Sequence, residues 1–319
     1  MFGWVPNEHL TAEMTLKINN PFYLTALSWQ NQEPVLRFQA QQDSSTTLVE
    51  AQNLFLRFRV MTNQPRRCIG ATKRTEEGSS HQECESEPTS GRYCDKCQTV
   101  ENVNAANMHQ AHRRGRAEID KTMAAYLSHP HRLYLAAFRD GSIKVGTTRG
   151  SSGHTRLIEQ GAWLATYVAE VEDGFAVREL EDEITEQLGV TQAVDTRRKI
   201  LGHLDHLPNQ ELAQRLSQLS SETENLLRDR LNSRGSLIGE PWSNPMIDTE
   251  AWGNLALYPG SINEGAHELR IHSMVGRLAA CHKSGFTDTF LVDTHSLLTL
   301  PLETGTFEVD ELALQESLF

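Results

Sequence analysis

Leu133-Tyr134-Leu135-Ala136-Ala137-Phe138, Arg139-Asp140-Gly141-Ser142 and Ile143-Lys144-Val145-Gly146-Thr147-Thr148 follow one another without a break. Two short apolar runs around an Asp-Gly turn are the pattern of a β-hairpin. The turn decides which side chains meet. A two-residue loop at Asp140-Gly141 pairs Arg139 with Ser142, sets Tyr134 opposite Thr147 and points Lys144 to the other face. A three-residue loop with Gly141 left-handed pairs Phe138 with Ser142, and then Tyr134, Ala136, Lys144 and Gly146 share one face. Only the second register builds a polar site, and it is the one expected.

Downstream, Gly150-Ser151-Ser152-Gly153-His154-Thr155-Arg156 reads as a loop entering a short helix that stops near Gly161, so Arg156 sits on that helix. A strand follows from about Ala162 to Val171. From Ala176 to Leu188 the chain has helical periodicity, with Val177, Leu180, Ile184 and Leu188 on one stripe. Glu181 falls inside that stripe, whereas Glu179, Asp182, Glu183 and Glu186 project away from it. A carboxylate on an apolar face needs a cation, a metal or hydrogen-bond donors to offset its desolvation.

This order of residues resembles the GIY-YIG nuclease fold: a tyrosine on the first strand, Lys-Val-Gly on the second, an arginine on the next helix and a glutamate on a later one. The resemblance implies phosphodiester hydrolysis, an endonuclease-like reaction on DNA or RNA. Tyr134 would assist a water nucleophile, Lys144 and Arg156 would bind the phosphate, and Glu181 would hold Mg²⁺ or Mn²⁺. A metal and fixed cations stabilise charge growing on a phosphorane-like transition state. The chain departs from the family in reading Arg132-Leu133-Tyr134 at the first motif and Lys144 at the second, and no counterpart of the late asparagine stands out. Lys144 to Arg149, Arg156, Glu159-Gln160-Gly161-Ala162, Leu180-Glu181 and Thr196-Arg197-Arg198-Lys199 also resemble a bacterial family known as domain of unknown function 2797, over roughly residues 66–201. Each residue has an ordinary structural reading beside the catalytic one: Tyr134 as a core aromatic, Lys144 as a solvated strand lysine, and Arg156 with Glu181 as a buried ion pair.

Four of the five cysteines, Cys68, Cys84, Cys94 and Cys97, fall in one short window. Tyr93-Cys94-Asp95-Lys96-Cys97 has the C-x-x-C spacing of a zinc knuckle, in which two thiolates from one tight turn reach a tetrahedral ion. The second half of the site is less regular, because Cys68-Ile69-Gly70-Ala71 lacks the second cysteine usual in the resembled family. Cys84 is the expected fourth ligand, with His81 as the competitor. The window is rich in Ser, Thr, Glu and Gly and too poor in apolar residues for its own core, so a bound metal would supply the missing free energy. The competing readings are a disulfide pair and a redox C-x-x-C, disfavoured by the lack of an export signal and of a surrounding βαβ pattern. A full thiolate set leaves no open position for water, so the zinc would be structural. Cys281 stands apart and reads as a small buried hydrophobe.

The chain has 319 residues, 38% of them hydrophobic and 23% charged, with a net charge of −12. That composition suits a soluble protein, and neither an export signal nor a membrane-length apolar run is visible, so a cytoplasmic location is expected. The acidic balance argues against a general nucleic-acid coat. A local patch remains open, since basic residues collect at Arg66-Arg67, Lys73-Arg74, Arg113-Arg114-Gly115-Arg116 and Arg197-Arg198-Lys199. Strands are expected at Met14 to Ile18, Tyr23 to Trp29, Pro34 to Ala40, Leu54 to Met61, Leu269 to Val275, Thr289 to Val292 and Leu297 to Leu302. Helices are expected from Asn104 to His129 and from Pro208, the latter with Leu212, Leu216, Leu219, Leu226 and Leu227 on its inner face. His154, just before Arg156, could reach a phosphate.

The expected fold class is α+β, in four segments: a β-rich 1–65, a zinc-knuckle region with its linking helix at 66–128, a GIY-YIG-like small sheet with flanking helices at 129–235, and a β-rich 236–319 that may pack with 1–65. The competing functional class is a non-catalytic, zinc-containing module that binds nucleic acid or protein.

Overall fold

The computed structural model of the chain describes residues 18–75, 79–114, 116–231 and 233–307. The expected strand at Met14 to Ile18 lies, apart from Ile18, outside the described residues, as does the tail beyond Phe307. The architecture is a mixed α+β one. Strands β1 (Phe22–Gln30), β2 (Glu33–Ala40), β3 (Thr46–Glu50) and β4 (Phe55–Val60) come first. A ribbon of β5 (Ala71–Arg74) and β6 (Ser79–Gln82) leads to helix α1 (Asp95–His109) and then to α2 (Lys121–Leu127). The middle of the chain runs β7 (His131–Ala137), β8 (Ile143–Arg149), α3 (Thr155–Glu159), β9 (Leu164–Val171), α4 (Gly174–Leu188), α5 (Thr196–Leu204), α6 (Asn209–Leu231) and β10 (Gly235–Ser243). Strands β11 (Leu255–Leu257), β12 (Ala266–Val275), β13 (Leu278–His282), β14 (Thr289–Asp293) and β15 (Pro301–Glu303) end the described chain.

These strands form three sheets. The largest has the order β11-β14-β13-β12-β4-β15-β1-β2-β3, so β4 lies between two strands from the other end of the chain. Alternation fixes its inner face: Leu56 and Phe58 of β4 share one core with Leu269 and Ile271 of β12 and with Cys281, which is fully buried. The central sheet has the order β10-β9-β7-β8, and β5 pairs only with β6. Strand β10 straddles position 235/236 and hydrogen-bonds to β9.

In the central sheet Leu133, Leu135 and Ala137 of β7 pack with Val177, Leu180 and Ile184 of α4 and with Leu212, Leu216 and Leu227 of α6. The alternate residues Tyr134, Ala136 and Phe138 pack on the other face with Leu157 and Ile158 of α3 and with Tyr167 and Trp242. The exposed edge of β8 is covered: Val145 donates its backbone N–H to Thr191 (3.0 Å), on the segment after α4. Helix α4 begins two residues before the expected Ala176 and ends at the expected Leu188: the Asp173 carboxylate accepts from the backbone N–H groups of Phe175 and Ala176, and Gly189 closes it in the left-handed conformation.

The single helix expected from Asn104 to His129 is not what forms. Helix α1 starts nine residues earlier, directly after Cys94, and ends at His109; short 3₁₀ turns at Ala111–Arg113 and Arg116–Glu118 separate it from α2. Asp120 caps α2 by accepting from Thr122 and Met123, which starts a new helix where the sequence alone suggested continuation. The stretch Leu297 to Leu302 is likewise broken, into a 3₁₀ turn at Thr294–Leu297 and the short β15. No helix among the described residues is long and apolar enough to cross a membrane.

Candidate metal centre and adjoining cleft

Cys68 and Cys84 flank the β5–β6 ribbon, and Cys94 and Cys97 sit at the start of α1. The four sulfurs lie within 4.8 Å of one another, and Cys84 and Cys94 are 3.7 Å apart. A tetrahedral ion with metal–sulfur bonds of about 2.3 Å needs sulfurs roughly 3.8 Å apart, so the spacing suits zinc. Cys68 accepts N–H bonds at its sulfur from Gly70 (3.4 Å) and Cys94 (3.2 Å), contacts that favour a thiolate. Gly70 makes this turn possible: it is left-handed, and a Cβ there would run into the Gln82 carbonyl oxygen.

Burial pushes the Cys68 and Cys97 thiols up, whereas the Cys97 backbone N–H pulls Cys94 down to about 7. Four thiols at tetrahedral spacing could hold a metal such as zinc. His81 is not part of the set. It lies on β6 with its Nε2 buried and without a hydrogen-bond partner.

Nothing on α1 is buried. The helix is tied instead through the cysteines at its first turn, through the Asn104 amide donating to the Thr72 carbonyl (2.8 Å), and through the Thr72 N–H donating to Glu101. Opposite its inner side, across a cleft of about 460 Å³, are β8, α3 and α4. Arg74, Asn104, His109 and Tyr126, on the arm made of β5, β6, α1 and α2, line one side of this cleft, and Arg149, Arg156 and Arg178 line the central side.

The hairpin has the three-residue loop. Phe138 and Ser142 are hydrogen-bonded (2.9 Å), Gly141 is left-handed, Tyr134 lies opposite Gly146 and Ala136 opposite Lys144. The Tyr134 ring lies over Gly146, where a Cβ would stand 2.5 Å from the ring, so glycine in Lys144-Val145-Gly146 is a packing requirement. Tyr134 is 1% exposed, donates to Gln160 (3.4 Å), and burial raises its pKa. Lys144 donates to the Gln192 carbonyl (3.2 Å), and burial, reinforced by Arg156 and Lys199, pulls its amine down to about 8. Arg156 is half exposed and reaches Glu159 at 3.7 Å.

Glu181, 3% exposed, is ion-paired with Arg178 one turn earlier on α4. Burial pushes its carboxyl up, and Arg178 holds it down. The ion pair anticipated between Arg156 and Glu181 therefore does not form; each has a nearer partner. The four residues still share one electrostatic environment, since Arg156 and Glu181 act on both Tyr134 and Lys144. His154 stacks against Tyr167 and Trp242 at centroid distances of 5.6 and 6.2 Å.

The basic clusters of the sequence contribute less than their charge suggests. Arg67 pairs with Glu85, Arg113 with Asp182, Arg116 with Asp173 and Arg198 with Asp140, while Arg66 donates to Thr299. The cations on the cleft are mostly scattered ones: Arg149 and Arg178 belong to no cluster, and only Arg74 does. Arg178 had a sequence signal, a lone cation three residues before the buried Glu181. Tyr126 and His109 had none.

The fold and this centre define an α+β protein with a four-cysteine cluster that could hold a metal, beside a cation-lined cleft. Residues 56–240 match the family described as protein of unknown function (DUF2797), and the chain belongs to that family. No curated protein and no solved structure matches the chain.

Proposed function

We propose that the chain is a metal-dependent nucleic-acid phosphodiesterase, endonuclease-like and of GIY-YIG type, with a structural zinc in its four-cysteine arm. The observation that supports this reading is the shared environment of Tyr134, Lys144, Arg156 and Glu181 on the hairpin, α3 and α4. Segments 66–128 and 129–235 would form the working unit, with 1–65 and 236–319 as its β support. The five free thiols suit a reducing, cytoplasmic setting.

Arg156 and Lys144 would bind the non-bridging phosphate oxygens, and fixed cations in a water-poor site stabilise the charge that develops there. The raised pKa of Tyr134 keeps its hydroxyl protonated near neutrality, so its role is to orient a water rather than to deprotonate one. Glu181 offers a divalent cation one carboxylate oxygen, because Oε2 already accepts from Arg178. Mg²⁺ keeps most of its waters and needs only one or two carboxylates, so this donor suffices for Mg²⁺ or Mn²⁺, which supplies Lewis-acid stabilisation when bound.

A second reading, a non-catalytic module that binds nucleic acid or protein, is favoured by the Arg178–Glu181 pair and by the enclosed Tyr134 hydroxyl. Cleavage of labelled DNA and RNA with Mg²⁺ or Mn²⁺ separates the two. For the enzyme, wild type cuts and Glu181→Gln, which preserves side-chain shape, loses at least 100-fold in rate while its circular dichroism spectrum at the assay temperature stays that of the folded wild type. Binding without cutting, equal in both proteins, supports the module and sinks the enzyme.

A further inference from the structure

The cleft has two walls of different origin, and of the phosphodiesterase residues Arg156 lines it, on the central wall. Its arm wall and floor hold a group with no part in that chemistry. Tyr126 of α2 has the Arg149 guanidinium 5.2 Å from its ring centroid and that of Arg74 at 5.8 Å, so the arm and the central sheet meet over one aromatic ring. Arg74 comes from the β5–β6 ribbon, which the cysteines anchor, and its Nε is buried without a hydrogen-bond partner among the described residues. Arg149 ends β8 on the opposite side. Both line the cleft with Arg156 and Arg178, against the carboxylates Glu101 and Glu159.

Cations beside an aromatic ring in a groove are the chemistry that holds single-stranded nucleic acid: the cations follow the backbone, and bases stack on the ring without their sequence being read. The volume points the same way. About 460 Å³ lies in the small-ligand range of roughly 300–1,000 Å³, which suits a nucleotide or two. With α1 along one side, two paired strands have no room.

We propose that this cleft is a single-strand clamp in which Arg74, Arg149 and Tyr126 grip the nucleic acid beside Arg156, and that an intact duplex is excluded. The inference rests on the phosphodiesterase reading of the central wall and deepens it by naming the substrate class and the part the arm plays. Arg74 and Tyr126 act as binding residues. They need not touch the reacting phosphate.

The test is fluorescence anisotropy on the full chain with a labelled 12-nucleotide DNA or RNA single strand and the matching blunt duplexes, at low salt and without divalent cations, so that binding is separate from cleavage. The single strand is expected to bind at least ten-fold tighter than the duplex. Arg74→Glu and Tyr126→Ala are each expected to weaken it ten-fold or more, and Arg74→Gln, the gentler change, three-fold or more with an unchanged melting temperature. A duplex bound as tightly as the single strand, or arm variants that bind like wild type, overturns the clamp. If those arm variants are silent while Arg156→Ala weakens binding, the clamp fails and the phosphodiesterase reading survives; if no form binds, both fail.

Discussion

Arg178 and Glu181 sit one turn apart on α4, both buried and ion-paired with each other. Breaking such a pair by removing one partner typically costs about 3–5 kcal/mol, because the other charge is left buried. Glu181 was conspicuous in the sequence for its place on the stripe, but the identity of its partner was not, since Arg178 and Arg156 were both within reach of a helical reading. Lys144 presents the complementary case. Its amine drops from an ordinary 10.5 to about 8 through burial and then through Arg156 and Lys199, with Glu181 acting in the other direction and Arg178 in the same one. Between pH 8 and about 10.5 the folded chain has therefore released a proton that the unfolded chain still holds. Linkage then requires the stability contributed by this group to rise with pH across that window and to stay flat below it. Chemical denaturation of wild type and Lys144→Met from pH 7 to 10 should show wild type gaining on the variant above pH 8. Lys199, also pulled down to about 8, contributes to both proteins and cancels. A stability difference independent of pH would contradict the burial of the amine.

At the scale of elements, legibility followed the strength of local signals. Helix α4 could be read because its apolar stripe is regular, and the structure adds an Asp173 cap and a Gly189 stop that agree with it. The Asp140-Gly141 turn announced the hairpin, and the three-residue register followed from asking which loop gathers polar residues on one face. Helix α1 could not be read. It has no buried face, its first residue follows a metal-type cysteine, and what fixes it is a set of contacts to β5 more than twenty residues away. The basic clusters misled for the same reason: Asp182, Asp173 and Asp140, which pair with Arg113, Arg116 and Arg198, are 57 to 69 residues distant. A helix with no core of its own depends on its tether. Hydrogen exchange read by mass spectrometry should therefore show residues 95–109 losing most of their protection when a strong chelator removes the metal, with β7 and β9 unchanged. Equal protection of α1 in both states would mean that the helix holds itself.

The described molecule consists of a broad sheet built from strands before and after the middle of the chain, a smaller sheet bearing the hairpin, and an arm that reaches over the smaller sheet to complete a cleft. The broad sheet and the small one share a core in which Trp252, Val275 and Leu278 meet the α4 and α6 side chains, whereas α1 buries no side chain and reaches only a small cluster of Ala111, Ile119, Met123, Leu127 and Phe175 through Met108. The arm's β5–β6 ribbon is a two-stranded sheet, which is marginal in water without further support. Every functional statement about the cleft thus depends on what holds the arm in place, and the candidate is a metal on Cys68, Cys84, Cys94 and Cys97. The most direct measurement is elemental analysis of the purified full chain together with thiol titration under native conditions. One zinc per chain is expected, with the four arm thiols unreactive until the metal is removed, and with zinc lost in Cys84→Ser but kept in His81→Ala. Less than about half an equivalent of zinc, with all four thiols reacting freely in the folded protein, would contradict the account.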